Sequence, residues 1–321
     1  MTKENSGSNL STAERVGLVI DGTNASDAVK TIAAAEAEGV RQIWMTQTPF
    51  WPDTLTTLAA AATKTSAIHL TSIVPTYPRH PLVMAQQALS LYDIAPGRLR
   101  LGIGPSHQTI IEGIYGLPQT TPLAHLREYV NVLRTALWDG KVDHHGKFFN
   151  VKVILPHTAQ IPVLISTLGV KAFQLAGEIA DGALSWVCPI QYLIRTGIPA
   201  LRTAAAAANR QSAPPLVAYI SVALSQDRDS VLVAGRQSLD MYSKFPFYAK
   251  MFADAGFSLT ADQMISESLV DGLIVSGNED TVAVQFTKLL AAGLDELMVI
   301  LVPIKDAVDE FRRLMRLIGQ L

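Results

Sequence analysis

Short apolar runs alternate with longer helix-like stretches along most of this 321-residue chain. In the first unit, an apolar run at 16–20 precedes turn-forming residues at 21–24 and a helical pattern at 26–38. The alternation predicts strands near 16–20, 42–45, 67–74, 99–103, 161–166, 182–187, 216–224 and 295–302. It predicts helices near 26–38, 81–95, 121–138, 169–180, 190–208, 278–291 and 305–319, with one more opening at 52–53. Strands separated by helices are typical of a parallel sheet.

The predicted strands favour a closed barrel over an open sheet. Residues 163–165 and 297–302 are apolar without alternation, which indicates strands buried on both faces. About eight strand–helix units close naturally into a (β/α)8 TIM barrel. The predicted fold class is therefore α/β, a TIM barrel with insertions. A doubly wound open sheet is the alternative.

We expect one barrel domain over residues 15–321. Residues 1–14 are polar, and we expect a disordered tail there. Two segments break the alternation: a predicted β-hairpin near 141–156 and a helical insertion near 225–275. Within the second segment, residues 241–248 are unusually aromatic. They form either a small core under the insertion or a lid or wall of the substrate pocket.

Composition excludes several classes of protein. Lys and Arg number 26 against 28 Asp and Glu, so the chain lacks the basic surface of a nucleic-acid-binding protein. A hydrophobic content of 49% excludes a disordered chain. The sole cysteine, Cys188, excludes a disulfide framework, and no zinc-type spacing occurs, so no metal is expected. No apolar stretch reaches the ~18 residues of a membrane span, and no signal-peptide core opens the chain, so we expect a cytoplasmic protein.

The most specific motifs follow the third and fourth predicted strands. They read Ser-Ile-Val-Pro-Thr-Tyr-Pro-Arg-His-Pro at 72–81, Gly-Arg-Leu-Arg-Leu-Gly-Ile-Gly-Pro-Ser-His at 97–107 and Leu-Arg-Glu-Tyr at 126–129. In this order they resemble the bacterial luciferase-like superfamily. Within it they are similar to oxidoreductases that use the deazaflavin coenzyme F-420, such as methylenetetrahydromethanopterin reductase-like proteins. The resemblance implies a barrel with insertions, a cofactor at the carboxyl ends of the strands, and a homodimer.

Predicted strand ends supply candidate cofactor contacts. Ser72, Gly104, Ser166 and Trp186 end strands on one face of a barrel, where barrel active sites lie. Gly104 has no side chain, so a planar ring can approach its backbone closely. The resemblance implies cofactor binding by Thr46, Ser72, Ile73, Gly104, Pro105, Ser106, Ser166, Thr167, Gly169, Val170 and Trp186. It also implies a cis peptide bond between Ser72 and Ile73.

A phosphate site is predicted in the loop at 167–171, between a buried strand and an amphipathic helix. Free amides at a helix start bind anions, and a glycine such as Gly169 keeps them accessible. The resemblance implies that this loop holds the cofactor phosphate, at Gly169 and Val170. A plain strand-to-helix turn capped at Gly169 is the alternative.

His107, just beyond the strand that ends at Gly104, is the candidate catalytic residue. It matches the position of a glutamate in a relative that oxidises a sugar phosphate, and an imidazole can exchange the proton that accompanies hydride transfer. Shaping the pocket is its alternative role. Gln47, Trp51 and Tyr242 are predicted to line the substrate pocket. Gln47 departs from that relative's residue, which argues against the same substrate.

The resemblance implies hydride transfer between coenzyme F-420 and a small organic substrate. A largely apolar wall favours an uncharged carbonyl, enone, imine or pterin-like compound. An FMN-dependent luciferase-like monooxygenase is one alternative, because the same barrel and phosphate loop serve both cofactors. A catalytically silent barrel that binds a cofactor is another, since a fold alone does not establish an activity.

Overall fold

The computed structural model describes residues 10–257 and 265–321, which form a closed barrel of parallel strands inside a layer of helices. The strands are β1 (Val16–Val19), β2 (Gln42–Thr46), β3 (His69–Pro75), β4 (Leu99–Gly104), β5 (Lys141–His145), β6 (Asn150–Ile154), β7 (Val163–Thr167), β8 (Gly182–Ser185), β9 (Leu216–Ala223), β10 (Ile274–Ser276) and β11 (Glu296–Leu301). The order around the barrel is β1, β2, β3, β4, β7, β8, β9 and β11. Pairing of β11 with β1 closes the ring. The TIM-barrel prediction is confirmed, and the closed ring excludes the open sheet.

The helices surround this barrel and follow its strands in turn. They are α1 (Thr12–Arg15), α2 (Ala25–Ala37), α3 (Thr54–Ala62), α4 (Pro81–Ile94), α5 (Gln108–Gly113), α6 (Pro122–Trp138), α7 (Val170–Ile179), α8 (Ile190–Tyr192), α9 (Ile198–Ala207), α10 (Arg228–Ser243), α11 (Pro246–Asp254), α12 (Glu267–Leu273), α13 (Glu279–Ala291) and α14 (Ala307–Gly319). A π-helical turn at Leu193–Gly197 joins α8 to α9. No helix in these two ranges is long and apolar enough to cross a membrane.

The structure corrects the expected tail and adds elements that the sequence pattern does not indicate. Residues Thr12–Arg15 form α1, capped by Ser11, so predicted disorder over 1–14 is wrong for the end of that segment. Residues 1–9 lie outside the described residues. Neither α5 nor β10 is predicted, because elements this short show no clear period.

The two segments that break the alternation have different structures. The hairpin consists of β5 and β6, and Glu128 of α6 anchors its tip by accepting hydrogen bonds from the amides of Phe148 and Phe149 at 3.0 and 2.8 Å. The Phe149 ring lies 5.6 Å from the ring of His80, which caps α4, so the tip reaches the rim where the strands end. The insertion near 225–275 contains α10, α11, α12 and β10, while its residues 258–264 lie outside the described residues.

Charged and polar side chains fill the amino-terminal end of the barrel interior. Arg100 on β4 donates hydrogen bonds of 2.6 and 2.9 Å to the carboxylate of Glu296 on β11. Gln42 on β2 donates to the same carboxylate and accepts from Arg100. The guanidinium lies 5.3 Å from the centroid of the buried Trp44 ring. This end of the interior therefore holds a paired and hydrogen-bonded network.

Candidate active site

Strand register identifies the side chains that face the barrel interior. A Cβ built on Gly102 of β4 would lie 2.7 Å from Leu184 of β8, a strand that is not its neighbour, so Gly102 faces inward. Gly104 shares that face, because side chains alternate along a strand. Paired residues of neighbouring parallel strands point the same way. At the carboxyl ends the inner face thus includes Thr46, Ile73, Gly104, Ser166, Trp186 and Ile300.

This end of the interior is open to solvent. Five inward-facing residues there are half-buried: Thr46, Ile73, Ser166, Trp186 and Ile300. Inward-facing residues one layer below, such as Trp44 and Leu164, are fully buried. Partial exposure in the centre of a barrel marks an opening, and we call the space bounded by these five residues the mouth. No member of the set carries a charge.

Gly104 forms part of the floor of the mouth. A Cβ at this position would lie 2.1 Å from Ser166 Oγ, so glycine is required for the serine hydroxyl to occupy its place. At Gly102 a Cβ would lie 2.4 Å from the Ser72 carbonyl oxygen, which makes that glycine a packing requirement. The two glycines leave backbone, rather than side chains, on this part of the inner face.

Two strand ends beside the mouth carry backbone strain. Ser106, after β4, has a φ of 61°, and Val187, after β8, has a φ of 51°. The left-handed region is costly for a β-branched residue such as valine, and such residues concentrate at functional sites. Gln119 holds the first of these turns, because its Nε2 donates to the Pro105 carbonyl oxygen at 2.6 Å.

His107 is packed against the insertion. Its ring stacks on Phe245 with 4.2 Å between centroids and an interplanar angle of 12°, and it lies 5.7 Å from the Tyr248 ring. Burial lowers the pKa of His107, so the imidazole is neutral at pH 7. The stacking of His107 on Phe245 packs the start of α11 against the chain that follows β4. This geometry favours the pocket-shaping alternative over proton transfer.

Trp186 and Tyr242 join β8 to α10 above the mouth. The Trp186 indole Nε1 donates to the Tyr242 hydroxyl oxygen at 2.8 Å. Beneath it, the Trp186 ring packs on Tyr219 of β9 with 4.4 Å between centroids. Tyr242 also contacts Tyr248 edge to face at 5.0 Å. The aromatic stretch therefore forms a wall at the active-site end of the barrel, one of the two alternatives that the sequence left open.

Gln47 and Trp51 lie in the loop after β2. The Gln47 side chain is hydrogen-bonded within this loop at both ends of its amide. Its Oε1 accepts from the Thr54 amide at 2.8 Å, and its Nε2 donates to the Thr48 carbonyl oxygen at 3.0 Å. A Cβ on Gly22, which follows β1, would lie 3.6 Å from Trp51. Trp51 thus stands at the rim, whereas the Gln47 amide braces the loop.

Ser72 and Ile73 point to opposite sides of β3. Ile73 faces the mouth, so Ser72 points toward the surrounding helices, and its buried hydroxyl has no partner among the described residues. Every described peptide bond is trans. The cis bond that the resemblance implies between these residues is therefore wrong here. A ligand in the mouth would meet β3 through Ile73.

The start of α7 lies beyond the end of β7 and has no side-chain cap. Gly169 occupies the N-cap position, and a Cβ there would meet nothing within 4 Å. The amides of Val170 and Lys171 donate no hydrogen bond within the described ranges. In contrast, Asn24 caps α2 with its side chain. This start keeps donors for an anion. The neighbouring Thr167 hydroxyl is committed to the Leu184 carbonyl oxygen at 3.2 Å.

Sequence reasoning missed three contributors to this region. Ile300 lies on the inner face of β11, but the sequence carries no signal for it, because residues 297–302 are apolar without alternation. Phe245 and Tyr248 belong to the aromatic stretch, but their partner His107 is distant in sequence. Within the described residues, no cluster of His, Cys, Asp and Glu could hold a metal ion.

The family model described as luciferase-like monooxygenase matches residues 4–296. The chain belongs to this family. The resemblance inferred from the motifs is thereby confirmed, and the luciferase-like family comprises oxidoreductases and monooxygenases. The mouth lies where a barrel enzyme binds its ligands, at the carboxyl ends of the strands.

Curated relatives of this luciferase-like protein include two with functional names. A putative coenzyme F-420-dependent oxidoreductase of Mycobacterium tuberculosis is 27% identical over 314 residues, covering 84% of this chain and 88% of the relative. A 5,10-methylenetetrahydromethanopterin reductase of Methanolobus tindarius is 26% identical over 303 residues, covering 85% and 90%.

Solved structures share the fold. The F-420-dependent tetrahydromethanopterin reductase of Methanopyrus kandleri superposes with a TM-score of 0.76 at 23% identity, covering 95% of this chain and 97% of that one. A type II Baeyer–Villiger monooxygenase of Pseudomonas putida, in complex with FMN, gives 0.71 at 18%, covering 96% and 97%. One barrel therefore accommodates members with either cofactor.

Proposed function

We propose that this luciferase-like protein is an F-420-dependent oxidoreductase that transfers a hydride between the deazaflavin coenzyme and a small organic substrate. The observation that carries the proposal is the combination of an uncharged mouth with the uncapped start of α7. A planar ring that bears a phosphate matches both parts, since the ring suits the mouth and the phosphate suits free amides. The relatives named for F-420 and methanopterin favour the deazaflavin.

The mouth would hold the ring by shape and neutral contacts. Gly104 presents backbone rather than a side chain, and Thr46, Ile73 and Ser166 face the same opening. Trp186 supplies an aromatic wall, and the strained turn at Pro105 and Ser106 forms the adjoining rim. When bound, the coenzyme supplies two-electron hydride chemistry. The protein orients the ring and limits access of water.

The phosphate would be held at the start of α7. The amides of Val170 and Lys171 are free, and the helix dipole favours negative charge at this end. Gly169 leaves open space in front of these amides. The Thr167 hydroxyl, which donates to a main-chain carbonyl, would contribute packing rather than a direct hydrogen bond.

FMN is the second candidate cofactor, with a luciferase-like monooxygenase as the corresponding activity. The FMN-bound monooxygenase shares this fold over 96% of the chain, and the features of the mouth and of α7 suit a flavin phosphate equally. The third candidate is a catalytically silent barrel. Cofactor binding discriminates among the three, because only the first requires a preference for the deazaflavin.

The test is equilibrium binding of F-420 and of FMN to the purified protein, followed by fluorescence. We expect F-420 to bind at least tenfold more tightly than FMN, with one site per chain. Tighter binding of FMN would support the monooxygenase. Binding of neither F-420 nor FMN would contradict the proposed function and would support a silent barrel that binds a different ligand.

We also propose that the protein is a cytoplasmic homodimer, as the family resemblance implies. The buried Cys188 thiol, whose pKa burial raises to about 12, suits a protein that needs no disulfide. Light scattering coupled to size-exclusion chromatography tests the assembly. The expected result is twice the chain mass, and the mass of one chain would contradict it.

A further inference from the structure

We propose that the Tyr242 hydroxyl is the hydrogen-bond donor, and during reduction the proton donor, to the acceptor atom of an uncharged carbonyl substrate. The inference rests on the proposed function and names both a substrate class and a residue that selects it. It assigns to Tyr242 the role that sequence reasoning considered for His107.

The position of Tyr242 is fixed by its bond to Trp186. The indole Nε1 of Trp186 donates to the phenol oxygen at 2.8 Å, and Trp186 itself lines the mouth. Tyr242 is half-buried, and its hydroxyl donates to no acceptor among the described residues. Trp186 therefore holds the phenol oxygen beside the mouth, and the phenol proton is used by no acceptor within the described residues, which leaves it for a ligand.

Other candidate donors near the mouth are committed or unsuited. His107 is neutral and stacked on Phe245, and the Gln47 amide is used within its own loop. The hydroxyls of Thr46 and Ser166 are aliphatic and are far weaker acids than a phenol. The other acidic hydrogens of this region are buried: the phenols of Tyr219 and Tyr248 are 8% and 4% exposed. The Cys188 thiol is buried as well and is directed at the Trp186 carbonyl oxygen.

The surroundings of Tyr242 match an uncharged substrate. The side chains in contact with it are aromatic: Trp186, just after β8, and Phe245 and Tyr248 around α11, with Tyr219 of β9 packed on Trp186. The nearest cation along the chain, Lys244, is paired with Asp240 on the surface. A carboxylate or phosphate packed against these aromatic side chains would lose its hydration, and none of them supplies a counterion, which is costly.

The proposed step balances as follows. The substrate carbonyl carbon gains a hydride from the reduced coenzyme, so a C–H bond forms and the π electrons of the carbonyl move to oxygen. That oxygen takes the proton of Tyr242 as the phenol O–H bond breaks. The coenzyme is oxidised by two electrons and the substrate is reduced to an alcohol. Trp186 stabilises the phenolate through its N–H until solvent returns the proton.

The first experiment measures binding of a matched pair of probes, acetophenone and ethylbenzene, which differ by the carbonyl oxygen. Binding is followed by tryptophan fluorescence, with and without F-420, in the wild-type protein and in Tyr242→Phe. We expect the wild type to prefer acetophenone, and the variant to lose about fivefold in acetophenone affinity with no loss for ethylbenzene, as for one neutral hydrogen bond. Tyr219→Phe is the matched control, because Tyr219 is buried beneath Trp186 at 8% exposure; it should retain the wild-type preference.

The outcomes separate this inference from the proposed function. No preference for acetophenone in the wild type, or the same preference in Tyr242→Phe, would overturn the role of Tyr242. Benzoate binding as tightly as acetophenone would overturn the uncharged substrate class. Failure of the wild type to bind F-420 would instead overturn the proposed function, while the probe measurements without coenzyme would still test the donor.

Discussion

The two ends of the barrel interior differ in charge and in access. At the amino-terminal end, Arg100 and Glu296 form a paired network, and Glu296 is only 7% exposed. At the carboxyl-terminal end, the mouth is uncharged and half-exposed, with Gly104 in its floor. The same eight strands thus end in a filled, ion-paired layer on one side and an open, neutral layer on the other.

This difference predicts that the amino-terminal end of the barrel interior contributes mainly to stability and the carboxyl-terminal end mainly to ligand binding. A buried ion pair is costly to break, because the remaining charge has no partner. Half-exposed neutral side chains leave little packing to lose, but they are surfaces that a bound ligand would cover. Substitutions at the amino-terminal end should therefore alter unfolding and not cofactor affinity. Substitutions at the carboxyl-terminal end should alter cofactor affinity, and only those that create a clash, as in the packed floor at Gly104, should also alter unfolding.

The largest expected effect is on stability at the ion-paired end. Glu296→Gln leaves the Arg100 guanidinium without its carboxylate and should reduce the free energy of unfolding by about 3 kcal/mol, measured by urea denaturation. The matched control is Glu178→Gln, which breaks the exposed pair with Arg127 and should cost under about 1 kcal/mol. Equal losses in the two variants would show that the amino-terminal network has no special role.

A second substitution tests the fit of the floor of the mouth. Gly104→Ala places a methyl group against Ser166 and should cost about 1–3 kcal/mol in the free energy of unfolding. Adding Ser166→Gly should restore most of this loss, since the clash is with that side chain. Gly113→Ala, where a Cβ meets nothing within 4 Å, is the control and should not destabilise the protein. Failure of the double variant to recover would contradict the assigned contact.

The third prediction concerns affinity at the start of α7. Gly169→Asp introduces a carboxylate that caps the free amides and repels a phosphate, so F-420 should bind at least about tenfold more weakly. The same carboxylate should leave stability unchanged or raised, because aspartate is a favourable N-cap residue. Gly169→Ala is the control and should bind F-420 as the wild type does. Normal affinity in a folded Gly169→Asp variant would exclude this phosphate site.

The smallest expected effect is at His107. His107→Gln should keep F-420 affinity and most hydride-transfer activity, because the neutral, stacked imidazole is not the proton donor. Since burial lowers the pKa of His107, the unfolded chain binds more protons as pH falls below the ordinary histidine value. The wild type should therefore lose more stability than the variant between pH 8 and pH 5. A near-inactive variant with normal coenzyme binding would restore His107 as the catalytic acid.

The barrel could be predicted from the sequence because each strand is a short apolar run bounded by turn residues. The strands β1 (Val16–Val19) and β9 (Leu216–Ala223) are buried at every residue, so no helical period competes with the strand pattern there. The α1 helix at Thr12–Arg15 was missed because its only signal is the capping box of Ser11 and Glu14. A polar, four-residue helix does not produce an amphipathic period.

The site could be predicted only in part. Parallel strands bring their carboxyl ends to one face, and of the predicted strand ends Gly104, Ser166 and Trp186 face the mouth, whereas Ser72 points away from it. Thr46 at the end of β2 and Ile73, two residues before the end of β3, also face the mouth. Contacts across the insertion could not be predicted, because the stacking of His107 on Phe245 depends on tertiary packing between residues far apart in the chain. The orientation of Ser72 depends on the register of β3, which the sequence does not fix.

The most direct test of the contrast between the two ends is the Kd of F-420 for three proteins side by side: the wild type, Glu296→Gln and Gly169→Asp, at a temperature at which all are folded. The account predicts a Kd within about twofold of the wild type for Glu296→Gln and at least about tenfold higher for Gly169→Asp. A wild type that does not bind F-420, an unchanged Kd in Gly169→Asp, or a tenfold loss in Glu296→Gln would contradict it.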